Sequence, residues 1–219
     1  PPCLDSVSPP MNVLVIGSGG REHALCHCLA RSPRLKRLFV LPGNAGTARL
    51  GTNVPGDPAD IPLALSVARR EAIDLTIVGP EDPLAAGIVD AFEAAGLRIF
   101  GPRAAVARLE ADKAFAKQLM RQYAVPTADA RTFSDFSFAR QYIATRDEPV
   151  VVKAAGLAKG KGVIVCNDPA DAILAAEKIL VDRVFGEAGA TIVVEERLLG
   201  REASVLAIVD SHTSWLLEP

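Results

Sequence analysis

The sequence predicts an α/β protein in two parts. A parallel sheet with helices on both faces comes first, and an α+β unit around an antiparallel sheet follows. Three observations carry this. Apolar bursts alternate with helical spacing as far as residue 100, the order that gives a parallel sheet. The bursts are continuously apolar, as strands buried on both faces require. After Gly101-Pro102 the rhythm changes to closely spaced strand candidates with fewer helices between them.

In order, residues 12–16 form a short β-branched run and 22–32 have helical spacing. Residues 37–41 are the next strand, 61–71 a helix, 75–78 a strand, 84–95 a helix and 98–100 a strand. Beyond the Gly101 joint, 112–123 is a helix ended ahead of Pro126, and 135–145 is another. Strands are expected at 150–154, 163–167, 191–195, 202–209 and 213–217, with one helix at 169–180. Residues 1–10 have neither a basic n-region nor an apolar core, so they read as a disordered leader and not as a secretory signal. The expected domains are therefore 11–110 and 111–219.

The chain has 219 residues, 49% hydrophobic and 23% charged, with a formal net charge of -2. That balance suits a soluble globular protein and gives no reason to expect nucleic acid or membrane as partners. No apolar run approaches the roughly 18 residues of a membrane helix. Cys3, Cys26, Cys28 and Cys166 do not form paired zinc knuckles, and they read as reduced thiols.

Four segments carry chemistry. Gly17-Ser18-Gly19-Gly20-Arg21-Glu22-His23 follows the first strand and opens the first helix. Gly19 and Gly20 would let backbone approach an anion at the helix N-terminus, with Arg21 as counter-charge. It is not a dinucleotide fingerprint: Glu22 stands where the third glycine belongs, and the second strand ends without an acid for a ribose hydroxyl. Pro42-Gly43-Asn44 and Gly79-Pro80-Glu81 also follow parallel strands, where ligands of such sheets bind, and Glu81 could accept from sugar hydroxyls. Third, 150–163 delivers Lys153 on a strand, then a loop containing Gly156, Lys159, Gly160, Lys161 and Gly162, then another strand. No G-K-[ST] opens a helix there, so it is not a Walker motif; it suits a hairpin flap over a triphosphate. Last, 192–204 is an apolar strand, a short linker and a second expected strand, whose backbone can pair with an adenine edge.

Together and in this order the segments resemble the glycinamide ribonucleotide synthetase (phosphoribosylamine–glycine ligase) family of the ATP-grasp superfamily. The blocks are GSGGREHAL (17–25), PGNAGTA (42–48), DLTIVGPEDPLAAGIVD (74–90), IFGP (99–102), LEADKAFAK (109–117), VVVKAAGLAKGKGVIV (150–165) and VVEERLLGREAS (193–204). The resemblance implies a Rossmann-like pre-ATP-grasp domain and then the first part of an ATP-grasp domain. It implies ATP contacts from Lys113, Lys153, Gly156, Gly160, Lys161, Gly162, Glu195, Leu198 and Glu202. It places 5-phosphoribosylamine at Gly19, Gly20, Arg21, Asn44 and Glu81. The implied reaction joins glycine to that amine through a glycyl phosphate, in de novo purine biosynthesis in the cytoplasm.

Ala155 departs from the family's usual Asp, and Arg201 from a frequent Glu. The family continues past the position of Pro219 into a glycine-binding stretch, ligands for Mg2+ or Mn2+ and a final domain. The resemblance therefore implies no metal ligand in this chain and no activity for it alone. Rival readings are another ATP-grasp carboxylate–amine ligase, a non-catalytic nucleotide-binding module, and a Rossmann-type oxidoreductase, against which the missing third glycine argues.

Overall fold

The computed structural model describes residues 9–158, 160–210 and 212–217. Most of the expected leader, together with Cys3 and Lys159, lies outside the described residues. The first unit is a parallel sheet of five strands: β1 (Met11–Gly17), β2 (Leu35–Pro42), β3 (Thr52–Asn53), β4 (Leu75–Val78) and β5 (Ile99–Phe100), in spatial order β3-β2-β1-β4-β5. Side chains alternate across it and feed two cores. Leu14, Ile16, Phe39 and Leu41 pack with Val67 of α2 (Ile61–Arg70) and Phe92 of α4 (Ile88–Ala94). Val13, Val15, Leu38 and Val40 pack on the other face with Cys26 and Leu29 of α1 (Gly20–Ala30). Alternation into two dry cores is why these strands read as continuously apolar.

The helix expected at 84–95 is two helices, α3 (Glu81–Ala85) and α4, because Gly87 sits between them at φ +87°. That left-handed conformation cannot continue a helix and is cheap only for glycine. An unexpected α5 (Ala104–Ala111) packs on α3 and leads directly into α6 (Lys113–Gln122). Asp112 joins them, its carboxylate accepting from Phe115 N at 3.0 Å as the cap of α6.

The second unit is an antiparallel sheet in spatial order β6-β9-β7-β8: β6 (Ala130–Phe133), β7 (Val150–Ala154), β8 (Val163–Val165) and β9 (Ile192–Glu196). Val150, Val152, Ala154, Ile192 and Val194 face a core completed by α7 (Phe136–Ala144) and α8 (Pro169–Leu180). The opposite face carries Lys153 and Glu195, with α6 beside it. The strand expected at 202–209 is limited to β10 (Ala207–Val209). Among the described residues it pairs only with β11 (Ser214–Leu216), as a separate exposed ribbon.

Candidate functional sites on the two sheets

In the first unit the strand order turns back between β1 and β4, and ligands of open α/β sheets bind beyond such a switch. Residues after both strands meet there: Arg21 Nη2 donates to Glu81 Oε1 at 2.9 Å. The pair is exposed, with side chains 68% and 39% accessible. The hydrogen bond from Arg21 to Glu81, and then the opposite charge, raise the Arg21 pKa. Burial pushes the Glu81 carboxyl up, but its backbone hydrogen bond and Arg21 outweigh this and leave it below the usual carboxylate range. Arg21 thus already has a carboxylate partner at the switch point.

The turn behind Arg21 is organised by Glu22, a residue no ligand role was expected for. It is only 3% accessible, and its carboxylate accepts from Gly19 N at 2.5 Å. A Cβ built on Gly17, Gly19 or Gly79 would stand 2.7, 2.8 or 2.1 Å from Glu22 side-chain atoms. One carboxylate thus explains glycines in two separate loops. It also occupies the Gly19 N–H, which leaves the amides further into α1 to meet an anion. Asn44 is committed in the same way. Its Oδ1 accepts from Gly46 N (2.7 Å) and Thr47 N (3.0 Å), and its Nδ2 donates to Ser18 O (2.8 Å). Asn44 therefore ties the PGNAGTA loop to the β1–α1 turn. The His23 ring packs on Gly46, where a Cβ would come within 2.6 Å of it.

In the second unit, β7 and β9 set Val151 opposite Glu195 and Lys153 opposite Val193. Lys153 and Glu195 are then diagonal neighbours on one face, and Lys153 Nζ lies 2.7 Å from Glu195 Oε2. Above them α6 presents Lys113 and Lys117, one turn apart. Lys113 Nζ donates to Gly156 O at 3.1 Å. Lys117 Nζ lies 3.5 Å from Glu195 Oε1 and donates to Thr127 Oγ1 (2.7 Å) and Ala128 O (2.9 Å). These groups line a cleft of about 430 Å³ whose apolar walls include Leu109, Met120 and Leu198.

The structure thus brings together Lys113, Lys153, Glu195 and Leu198 of the expected nucleotide residues. It adds Lys117 and Thr127, which sequence reasoning missed. Gly156 backs onto Ala188, where a Cβ would come within 2.7 Å of its Cα, and Gly162 closes the hairpin by accepting from Ala154 N at 2.8 Å. Gly160, at φ +74°, and exposed Lys161 lie on the loop between β7 and β8. Ala155, at the family's Asp position, is buried and accepts from Lys113 N at 2.8 Å, so the strand end closes without a carboxylate. Glu202 is not among the residues that line the cleft and sits in an exposed stretch without regular secondary structure.

Residues 11–110 match the family model described as phosphoribosylglycinamide synthetase, N domain, and residues 111–219 match its ATP-grasp (A) domain. The chain belongs to the phosphoribosylglycinamide synthetase family. A phosphoribosylamine–glycine ligase of Rhodopirellula baltica is 50% identical over 214 residues, 95% of this chain and 49% of the relative. The crystal structure of a phosphoribosylamine–glycine ligase from Thermotoga maritima superposes with a TM-score of 0.77 at 31% identity, covering 94% of this chain and 49% of that one. An N5-carboxyaminoimidazole synthetase from Staphylococcus aureus, crystallised with ADP, shares the fold at TM-score 0.66 and 16% identity, over 92% of this chain and 50% of that one. This synthetase-family chain spans about half the length of the curated relatives it matches.

Among the described residues no three His, Cys, Asp or Glu side chains converge as a metal site, and no helix is long and apolar enough to cross a membrane. Of the two carboxylates that line the cleft, Glu110 and Glu195, Glu195 already has two ammonium partners among the described residues. Cys26 and Cys166 are buried, and burial raises both thiols, Cys26 to about 11.

Proposed function

We propose that this chain supplies the amine-substrate and nucleotide-binding parts of an ATP-dependent ligase. The enzyme joins glycine to 5-phosphoribosylamine in the cytoplasm, giving glycinamide ribonucleotide, ADP and phosphate. One observation carries the reading: three lysines converge on a cleft with apolar walls, beside the β7–β8 hairpin, in a chain of this family. A cleft built this way holds a base against Leu109, Met120 and Leu198 and phosphates against Lys113 and Lys153. The glycine carboxylate attacks the terminal phosphorus, forming an O–P bond and releasing ADP. The phosphoribosylamine nitrogen then attacks the acyl carbon of glycyl phosphate, forms the amide and releases phosphate. Neither step needs a protein nucleophile; positioning and charge neutralisation drive both. Lys113 and Lys153 contribute to neutralisation of the transferring phosphate, and Arg21 with the α1 N-terminus holds the 5-phosphate of the amine.

Calorimetry on the 219-residue chain tests the nucleotide half of this. ATP should bind more tightly than NAD, and Lys153→Ala should weaken ATP by roughly ten-fold, the scale of one charge-assisted contact, while AMP loses less. Tighter binding of NAD would overturn the reading, and equal losses for ATP and AMP would move Lys153 away from the phosphates.

A further inference from the structure

Glu195 has two lysines within ion-pair reach, and the nucleotide reading employs only Lys153. The two ammonium groups are held differently. Lys153 has a side chain 26% accessible and stands at the end of the flap strand. Lys117 is 12% accessible, and its Nζ meets Thr127 Oγ1, Ala128 O and Glu195 Oε1 at 2.7, 2.9 and 3.5 Å. Two of the three N–H bonds of this ammonium are given to Thr127 and Ala128, which anchor Lys117 beside Glu195 at ion-pair distance. Glu195, 7% accessible at its side chain, is too buried to be left charged and alone.

We infer that Lys117 is the standing counter-ion of Glu195, a positioning residue that lets Lys153 leave the carboxylate for a nucleotide phosphate. The inference rests on the nucleotide reading above. When Lys153 turns to a phosphate, Lys117 stays, and Glu195 keeps one opposite charge. Without Lys117, the same movement strips a buried carboxylate of its last cation among the described residues. Lys113 does not replace it, because its Nζ is donated to Gly156 O at 3.1 Å on the flap side. The cost of losing Lys117 therefore falls on ligands that draw Lys153 away. ATP belongs to that class and adenosine does not.

The test is calorimetry of the 219-residue chain with ATP and with adenosine, for the parent, Lys117→Met, Lys117→Arg and the double variant Lys117→Met/Glu195→Gln. Lys117→Met should lose on the order of ten-fold in ATP affinity or more and keep its adenosine affinity. Lys117→Arg should retain most of the ATP affinity. The double variant should recover it, because a neutral amide at position 195 needs no counter-ion, whereas a merely structural role for Lys117 would not be rescued this way. If Lys117→Met does not fold, Lys117→Gln takes its place, since its amide can still meet Thr127 and Ala128. Unchanged ATP affinity in the single variant, equal losses for ATP and adenosine, or a double variant no better than the single would each overturn the inference alone. A parent that binds no ATP removes the nucleotide reading, and the inference falls with it.

Discussion

Replacing Gly79 by Ala tests whether Glu22 organises the first site. Gly79 is not in a left-handed conformation, so the effect is purely one of space. A Cβ there would lie 2.1 Å from Glu22 Oε1 and 2.6 Å from both Cγ and Cδ, where ordinary contact begins near 3.5 Å. The carboxylate must therefore shift by about 1 Å or more. It has nowhere to go, because Gly17 and Gly19 close the other sides and Glu22 is 3% accessible. Overpacking of this kind costs about 1–3 kcal/mol, and loss of the Gly19 N to Glu22 hydrogen bond adds about 1 kcal/mol. The sum, roughly 2–4 kcal/mol, is a large share of a domain's 5–15 kcal/mol. Urea unfolding followed by far-ultraviolet circular dichroism reads it. Gly20→Ala is the control, since a Cβ there meets nothing within 4 Å. The double variant Gly79→Ala/Glu22→Ala should regain part of the loss, the sign of direct coupling. A Gly79→Ala chain within about 0.5 kcal/mol of the parent, the range of innocuous substitutions, would refute the claim that Glu22 is fixed by the glycines around it.

Two further outcomes follow from the same geometry. Arg21→Ala should weaken binding of ribose 5-phosphate by about ten-fold, near 1.4 kcal/mol, and leave ATP unchanged. This is the low end for a charged contact, because Arg21 is exposed and already shared with Glu81; calorimetry in which ATP affinity falls instead would place the site on the wrong unit. Cys26 should resist a thiol reagent at pH 8 while exposed Cys28 reacts, read by peptide mass spectrometry. Because the folded thiol is raised to about 11 from an unfolded 9.0, its contribution to stability is complete below pH 9 and is lost as the pH rises towards 11.

The parallel sheet was legible because its strands feed two cores and so leave uninterrupted apolar runs, as in Val13–Ile16 and Leu38–Leu41. What escaped was short or thinly buried. β3 has two residues, α5 buries only Ala107, and β6 buries only Ala130. The run at 202–209 has strand composition, but only its last three residues pair, with β11. Apolar content marked a strand there without fixing a partner. Candidate residues that lie within one motif, such as Lys153 and Gly156, could be singled out from that motif alone. Lys117 could not, although it lies in a recognised block, because its partners Thr127, Ala128 and Glu195 belong to other segments. The same holds for Glu22, whose meaning comes from a glycine in the β4–α3 turn.

The two sites share a device and use it under different conditions. In each, the cation proposed to meet phosphate already has a carboxylate partner: Glu81 for Arg21, Glu195 for Lys153. On the proposed function, phosphate binding would be an exchange of partners and not the filling of an empty positive pocket. At the first site the pair is exposed, so water and salt replace either partner at small cost. Under that proposal Glu81 would be free to accept from a sugar hydroxyl once Arg21 turned to the phosphate. At the second site Glu195 is buried, and solvent cannot serve as its new partner. An exchange there requires a second cation already in place. Lys117 stands 3.5 Å from the carboxylate and is anchored by two further acceptors. Under the proposal, burial of Glu195 would make the extra lysine necessary, and exposure of Glu81 would let the first site work with a single arginine.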